Sequence, residues 1–238
     1  MRIHPAIAIE DIPAAVLEAA NEDPIGPMTV NQYLRTPESH RKESLVYGWL
    51  VREADPALDH QWFSLGLTLA LGNHLLKHKL GLMAPGSIDV ILDEAKHLVL
   101  QPDISVLLRD RMHFVRRKNM RLYGPPNIAI EVRSPSTAKR DRTVKLEWYR
   151  QYGVQEYWIV DVRKKQIEVF DFTATPEPVV TTYGDGDTLR SHVLPDFSCS
   201  VKRVFEPASS FAYLADGDDD AEPEETWRHA RRMPRRKR

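Results

Sequence analysis

The chain has 238 residues, of which 42% are hydrophobic and 28% are charged, and its formal net charge is −1 at pH 7. This composition is ordinary for one substantial globular domain, and no apolar run approaches the roughly 20 residues that a transmembrane helix needs. The single cysteine, Cys199, excludes an intramolecular disulfide and a thiolate zinc cluster. The N-terminus lacks a basic segment followed by an apolar one, so we expect a cytoplasmic protein without membrane contact.

Composition divides the chain into three parts. Residues 1–40 hold two short predicted helices, over 12–20 and 29–34, on either side of a segment rich in Pro and Gly, and we interpret them as an N-terminal arm. Residues 41–208 are predicted to form the domain. Residues 209–238 carry seven acidic residues between Asp216 and Glu225 and then seven Lys or Arg from Arg228 onward, so a disordered acidic-then-basic tail is expected.

Within the domain, helical and strand patterns alternate along the chain. The pattern predicts extended segments over 44–52, where Gly48 marks a hairpin turn or a bulge, and a helix over 59–78 that Gly81 ends. Strands are predicted over 87–92, 97–100 and 103–107, followed over 109–123 by a basic solvated loop that could include one helical turn. A strand over 127–133, a helix from caps at 134–137 to Tyr152, and strands over 157–160, 167–172 and 179–183 complete the pattern. The long helix shows an apolar stripe through Trp62, Leu65, Leu69 and Leu76. This order favours an α/β or α+β fold with one mixed sheet flanked by helices.

Two carboxylates stand out on the predicted strands. Asp103 begins one strand, and Glu131 interrupts an otherwise apolar strand whose alternation places Arg133 on the same face. If the two strands are neighbours, Asp103 and Glu131 can approach one ion, and oxygen ligands of this kind suit Mg²⁺ or Mn²⁺. The alternatives are that Asp103 turns the chain locally and that Glu131 forms a structural salt bridge with Arg133 or Lys145.

The helix after these strands carries three chemically useful side chains. Asp141, Lys145 and Tyr149 follow one another at four-residue steps and are predicted to lie on one stripe. A lysine beside a metal-activated water could orient it, deprotonate it or stabilise the charge of the transition state. Lys145 could equally be a surface lysine that pairs with Asp141.

The segment over 134–137 and the basic run over 109–121 each allow two interpretations. The segment Ser134-Pro135-Ser136-Thr137 resembles a nucleophile loop, but no histidine or acid partner stands nearby in sequence, so helix capping is the preferred interpretation. The basic run over 109–121 is either a solvated loop or a surface for phosphate contacts.

Several segments together resemble a known family. They are Gln101-Pro102-Asp103-Ile104 and the stretches over 131–137, 141–145 and 153–161. They are similar to the bacterial Uma-type domains, a family described as putative restriction endonucleases and similar in turn to the PD-(D/E)XK nuclease superfamily. The likeness spans residues 43–205. It implies a restriction-endonuclease-like core, a mixed sheet flanked by helices.

The resemblance implies a role for each matching residue. Asp103 corresponds to the metal-binding aspartate and Glu131 to the second acidic ligand of Mg²⁺ or Mn²⁺. The superfamily's usual lysine would stand at position 133, but Arg133 stays protonated and cannot act as a base. The resemblance therefore points to Lys145, on the following helix. Glu43 or Asp89 could complete the site.

The resemblance implies an endonuclease that hydrolyses phosphodiester bonds of DNA, and a homodimer is the default for cutting both strands of a symmetric duplex. Two other functions remain open at this point. The chain could be a catalytically silent nuclease-fold module that binds nucleic acid or a protein, because Arg133 replaces the usual lysine. It could also be an accessory protein that is organised by its tails.

Overall fold

The computed structural model describes residues 14, 16, 20, 23–37, 39–53, 57–86, 88–133, 138–173 and 178–206. Most of the predicted helix over 12–20, the predicted caps over 134–137 and the tail over 209–238 lie outside the described residues.

The elements alternate between strands and helices as the sequence patterns indicate. The described helices are α1 (Val30–Tyr33), α2 (Leu58–His78), α3 (Ala138–Arg142), α4 (Val144–Gln151) and α5 (Val201–Phe205). The described strands are β1 (Glu43–Val46), β2 (Trp49–Arg52), β3 (Gly81–Pro85), β4 (Val90–Asp93), β5 (Leu98–Leu100), β6 (Ile104–Leu108), β7 (Val115–Arg116), β8 (Arg121–Leu122), β9 (Ile128–Arg133), β10 (Glu156–Asp161), β11 (Gln166–Asp171), β12 (Val179–Tyr183), β13 (Thr188–Arg190) and β14 (Ser198–Ser200).

The strands form two large mixed sheets. The central sheet has the order β12-β11-β10-β9-β6-β3, in which β9 and β10 run parallel and the other neighbours antiparallel. The hairpin sheet has the order β2-β1-β5-β4-β8-β7, with β4 and β8 parallel, and β13 pairs with β14 separately. The predicted fold class, mixed sheet with flanking helices, is confirmed. The number of large sheets differs from the prediction, because the early hairpins pair with each other and not with β6.

Strand alternation sends the central strands' side chains into two cores. Ile130 and Trp158 belong to a buried cluster with the α2 residues Leu67, Leu71 and Leu75. Ala129 and Tyr157, on the opposite face, belong to a cluster that includes residues of the hairpin sheet and α4. All six residues of β10 are buried, which confirms the prediction of a central strand covered on both faces.

Helix α2 confirms the predicted helix over 59–78, but the predicted apolar stripe is wrong. The buried residues of α2 are Leu67, Leu71 and Leu75. By contrast, Leu65, Leu69 and Leu76 are 42%, 55% and 77% exposed. Both rows have helical spacing, so periodicity alone does not reveal which row faces the sheet.

The end of α2 also differs from the prediction. The helix ends at Lys79, whose φ of 52° is left-handed, and Gly81 instead begins β3. A Cβ atom at Gly81 would lie 2.0 Å from the carbonyl oxygen of Leu107. Gly81 is therefore required by the close approach of β3 to β6 and not by helix termination.

The predicted chain reversal at Gly48 is a hairpin turn, and the predicted helix cap at Thr29 is confirmed. Tyr47 and Gly48 have φ values of 50° and 88°, which is the two-residue turn that suits the twist of a hairpin, and β1 and β2 pair around it. At the N-terminus of α1, the Thr29 hydroxyl caps the helix and Gln32 completes a capping box. Helix α1 packs through Val30 and Tyr33 against the hairpin sheet.

The structure differs from the prediction in two further segments, the basic run over 109–123 and the helix that precedes Gly153. The basic run contains a 3-10 helix over Arg109–Phe114, which agrees with the helical turn that the prediction allowed, and the β7–β8 hairpin, which was not predicted. The predicted helix ending at Tyr152 is split into α3 and α4 at Thr143, whose backbone leaves the helical region. Gly153, with φ 85°, follows α4 as predicted.

The fully buried Asn127 fixes the position of β9 between its neighbours. Its side-chain oxygen accepts a hydrogen bond from Leu108 N–H at 2.7 Å, and its own N–H donates to the Val106 carbonyl at 2.8 Å. Its carbonyl accepts from the N–H groups of Gln155 and Glu156 at 3.0 Å. One residue thus sets the register of β9 against both β6 and β10.

None of the helices described here combines the length and the apolar character that crossing a bilayer requires.

Candidate functional site

The pairing of β6 with β9 brings the two predicted carboxylates together. Ile104 lies opposite Ile130 in antiparallel register, so Asp103, one residue earlier, falls beside Glu131. The two residues are only 8% and 2% exposed. The condition on which the predicted metal pair depended, neighbouring strands, is therefore met.

Asp103 is held by three donors. Its Oδ1 accepts a hydrogen bond from Lys42 Nζ at 2.9 Å, and its Oδ2 accepts from Val132 N–H at 2.7 Å and lies 3.3 Å from His60 Nε2. Burial alone would raise the pKa of Asp103, but the Lys42 charge and the His60 hydrogen bond hold that pKa well below its usual range. The Asp103 carboxylate is therefore ionised at neutral pH.

Glu131 lies between two ammonium groups. Its Oε2 accepts from Lys42 Nζ at 2.7 Å, and its Oε1 lies 2.9 Å from Lys145 Nζ and accepts from the Tyr149 hydroxyl at 2.8 Å. Burial raises the pKa of Glu131, and the two lysines offset this only in part. Each carboxylate oxygen of Glu131 thus faces a different cation.

Lys145, which lies on α4, contacts three carboxylates. Its Nζ lies 2.9 Å from Glu131 Oε1, 3.0 Å from Glu53 Oε1 and 3.4 Å from Asp141 Oδ1. Burial lowers the pKa of Lys145, but Glu131 and Glu53 outweigh burial and raise it. The Lys145 side chain is 3% exposed and carries a proton in this arrangement.

The two cluster residues beside the first hairpin, Lys42 and Glu53, were not predicted from the sequence. They flank the β1–β2 hairpin, whose register pairs Glu43 with Arg52, and the Glu53 N–H donates to the Lys42 carbonyl at 2.9 Å. A signal for them existed, because a two-residue turn at positions 47 and 48 places position 42 opposite position 53. Glu53 is also 2.9 Å from an Arg140 nitrogen.

The predicted supporting acids lie near the cluster but outside it. Glu43 accepts a hydrogen bond from Arg52 Nε at 2.9 Å. Asp89 accepts from the Tyr33 hydroxyl at 2.7 Å and from Arg121 Nε at 2.6 Å. Neither carboxylate forms an ion pair with Lys42 or Lys145, whereas Glu53 contacts both lysines.

Arg133 points away from the two carboxylates as well. Its guanidinium donates to Asp161 Oδ2 at 2.6 Å, across the β9–β10 pair. The salt bridge of Glu131 is accordingly with lysines and not with Arg133. Asp141 and Tyr149, by contrast, both reach the cluster, as their four-residue spacing from Lys145 predicts.

A cleft of about 650 Å³ opens beside the cluster. Four of its lining residues belong to the cluster: Lys42, Glu53, His60 and Asp103. Its walls include His40 and Arg41 on one segment and Asn119, Met120 and Arg121 from the β7–β8 hairpin on another. The cleft offers a route from solvent to Asp103 beside several basic side chains.

The donor chemistry of the cluster suits a cation. Among the described residues, no three His, Cys, Asp or Glu side chains are arranged to hold a metal ion directly. Instead the Lys42 ammonium contacts Asp103 Oδ1, Glu131 Oε2 and, at 3.5 Å, Glu53 Oε2. Carboxylate oxygens that converge on one positive charge are also the ligands that Mg²⁺ and Mn²⁺ prefer. The residues thus fit a hard divalent ion in donor type.

A comparison with protein families matches residues 30–202 to Uma2, which is described as "Putative restriction endonuclease". The chain belongs to the Uma2 family. The match includes α1 and all strands of both large sheets, so the family's region reaches into the segment interpreted above as an arm.

Solved structures place this Uma2 chain in a known fold. A crystal structure from Anabaena variabilis ATCC 29413, described as a putative nuclease belonging to DUF820, superposes with a TM-score of 0.62 at 18% identity and covers 76% of this chain and 98% of that chain. At this identity the likeness shows the fold alone. The comparison with curated proteins returned no match. The family match over residues 30–202 confirms the resemblance to Uma-type domains.

Proposed function

We propose that this Uma2 protein is an endonuclease that hydrolyses phosphodiester bonds of DNA with Mg²⁺ or Mn²⁺. Membership of a family described as "Putative restriction endonuclease" supports a nuclease. The observation that carries the proposal is the buried pair Asp103 and Glu131, which strand register brings together beside a cleft and next to a protonated lysine.

Each residue of the cluster has a role in this proposal. Asp103 and Glu131 would hold the ion, which when bound polarises a phosphoryl oxygen and lowers the pKa of water. Lys145 would assist the attacking water as a positive charge and hydrogen-bond donor, since its raised pKa disfavours a role as a base. Glu53 and Asp141 would keep the Lys145 ammonium in place beside Glu131.

The proposal is tested by cleavage of supercoiled and linear DNA, and of RNA, by the purified protein with Mn²⁺ or Mg²⁺. Asp103→Asn keeps the size of the side chain, removes its charge, and is expected to slow DNA cleavage by about 10²-fold or more. Asp161→Asn is the matched control, because Asp161 is also buried and ion-paired but lies outside the cluster. Intact DNA under all these conditions, or undiminished cleavage by Asp103→Asn, would overturn the proposal.

The second candidate is a silent module that binds nucleic acid or a protein partner without cutting. The position of Lys42 between the carboxylates and the engagement of Arg133 with Asp161 favour it. Mn²⁺ titration separates the two candidates. Measurable Mn²⁺ affinity that is lost in Glu131→Ala supports the enzyme, whereas DNA binding without Mn²⁺ affinity supports the module.

We propose that the active form is a homodimer, because symmetric cleavage of both strands needs two sites related by the symmetry of the duplex. Sedimentation equilibrium of the full chain, with and without DNA, measures this directly. A monomer in both conditions contradicts it.

A further inference from the structure

The Lys42 ammonium contacts both proposed metal ligands, Asp103 and Glu131, and also Glu53. Its Nζ is 2.9 Å from Asp103, which precedes β6, 2.7 Å from Glu131 in β9 and 3.5 Å from Glu53, which follows β2. The ammonium is thus shared by the two proposed metal ligands. Nothing in the proposed nuclease chemistry uses this contact.

We propose that the Lys42 ammonium occupies the divalent-cation position of this site, and that metal binding displaces it into the cleft. The inference rests on the proposed metal site. It assigns Lys42 as a resident cation that must leave before the site can be loaded.

The two cations cannot share the position. A Mg²⁺ or Mn²⁺ ion binds carboxylate oxygens at about 2.1 Å, well inside the hydrogen-bond distances that the ammonium keeps to the same oxygens. An ion between Asp103 and Glu131 would therefore meet Lys42 Nζ at close range, and two positive charges at that distance repel strongly. Loading the site requires the lysine to move.

Lys42 has somewhere to go, whereas Lys145 does not. Lys42 lines the cleft and is 10% exposed, and its unbranched stem can rotate the ammonium into the space where a phosphodiester would enter. Lys145 is 3% exposed, contacts the other carboxylate oxygen of Glu131 and is not part of the cleft wall. The same carboxylate thus has one cation that can be displaced and one that cannot.

Amine labelling of the wild-type protein tests the displacement directly. The full chain is reductively methylated with and without saturating Mn²⁺, and modification at each lysine is read by mass spectrometry. We expect Lys42 to be protected without metal and to be modified several-fold faster with Mn²⁺, while Lys145 stays protected in both. Protection of Lys42 that is unchanged by bound Mn²⁺ overturns the inference.

A second measurement compares Mn²⁺ affinity, by calorimetry, between wild type, Lys42→Met and Lys145→Met. Lys42→Met is expected to bind Mn²⁺ about tenfold or more tightly than wild type. In wild type only a small fraction of molecules has the lysine displaced and the metal position free, whereas in Lys42→Met that position is free in every molecule. Lys145→Met is the matched control, since it removes the same charge from the same carboxylate without clearing the shared position. Equal gains in both variants would show a general electrostatic effect and overturn the inference.

The outcomes separate this inference from the proposed function. If wild type and Lys42→Met bind Mn²⁺ equally, the metal site stands and the displacement is wrong. If none of the proteins binds Mn²⁺ or Mg²⁺, the proposed metal dependence fails and the inference fails with it. The labelling experiment needs no variant, so it decides the matter even if Lys42→Met does not fold.

Discussion

Glu53 shows how strongly single residues of the cluster depend on their neighbours. It lies 2.9 Å from an Arg140 nitrogen, 3.0 Å from Lys145 Nζ and 3.5 Å from Lys42 Nζ. Burial alone would raise the pKa of Glu53, but the three cations lower it from 4.5 to about 2. A folded-state pKa below the unfolded value means that the ionised carboxylate stabilises the fold above pH 4.5. That stabilisation is lost as the pH falls towards 2.

We expect Glu53→Gln to lower the free energy of unfolding in a pH-dependent way. The difference from wild type should be on the order of 3 kcal/mol at neutral pH and should shrink as the pH falls below 4.5. Urea unfolding at several pH values measures it. Glu94→Gln is the control, because Glu94 is 51% exposed and its contact with Arg116 is 3.6 Å long. A difference that does not vary with pH contradicts the prediction.

Two buried tyrosines allow the support of Glu131 to be separated from stability. The Tyr149 hydroxyl donates to Glu131 Oε1 at 2.8 Å, whereas the Tyr157 hydroxyl donates to the backbone carbonyl of Asp141 at 3.1 Å. Tyr149→Phe and Tyr157→Phe should each cost about 1–3 kcal/mol of stability, since each removes a hydrogen bond from a buried acceptor.

Only Tyr149→Phe should also impair the site. If Glu131 holds the ion as proposed, loss of this hydrogen bond should lower metal affinity or cleavage rate by about 10-fold to 100-fold. Mn²⁺ titration and DNA cleavage at a temperature where both variants are folded make the comparison. Equal effects of the two substitutions on Mn²⁺ affinity would reduce Tyr149 to a packing residue.

At the scale of elements, the β7–β8 hairpin gives the basic run a defined position. Asn119, Met120 and Arg121 line the cleft, and Arg117 and Lys118 are exposed in the turn beside them. Arg121 is held by Asp89, so the turn itself carries the charge available to an incoming polyanion. The hairpin is thus suited to phosphate contacts at the entrance of the cleft.

The double substitution Arg117→Ala and Lys118→Ala should weaken DNA binding mainly at low salt. If both side chains contact phosphates, the slope of log affinity against log salt should fall by about 2. Fluorescence anisotropy with labelled duplex DNA over a salt series measures this slope. Lys202→Ala with Arg203→Ala is the control, because it removes the same charge from α5, which does not line the cleft. An unchanged slope in the hairpin variant places the phosphate contacts elsewhere.

Much of the element order could be predicted from the sequence, because hairpin turns, helix caps and strand alternation are local signals. The phase of α2 could not be predicted, since two rows of leucine have the same spacing and only the position of the central sheet distinguishes Leu71 from Leu76. The break at Thr143 also escaped prediction, because no Pro or Gly marks it. For the proposed site, motif and helix spacing predicted that Asp103, Glu131 and Lys145 lie close together, whereas the positions of Lys42 and Glu53 follow only from the register of a hairpin.

At the scale of the whole molecule, the cluster lies where the two large sheets meet. Lys42 and Glu53 flank strands of the hairpin sheet. Asp103 directly precedes β6 and Glu131 lies in β9, both strands of the central sheet, and Lys145 lies on α4. A buried apolar cluster joins the same parts, since it contains residues of both sheets and of α4. The geometry of the site therefore depends on the two sheets folding as one unit.

We expect a single cooperative unfolding transition, seen at the same urea concentration by far-UV circular dichroism and by tryptophan fluorescence. Leu71→Ala, in the core between α2 and the central sheet, should lower the free energy of unfolding by about 3–5 kcal/mol and shift the midpoints of both signals together. Leu76→Ala on the same helix is the control and should change stability by less than about 0.5 kcal/mol, since Leu76 is 77% exposed. Separate midpoints for the two signals would show that the sheets unfold independently.

The hydrogen bonds of Asn127 have a consequence for where the site is vulnerable. Strand side chains alternate, so a slip of β9 by one position would turn the Glu131 carboxylate from the lysines into the apolar core beneath α2. Asn127 prevents such a slip from the opposite end of the strand, where it touches neither lysine nor cleft. The alignment of the carboxylates is thus decided by an amide remote from them, and a substitution there would misplace the acids while leaving every one of them in the sequence.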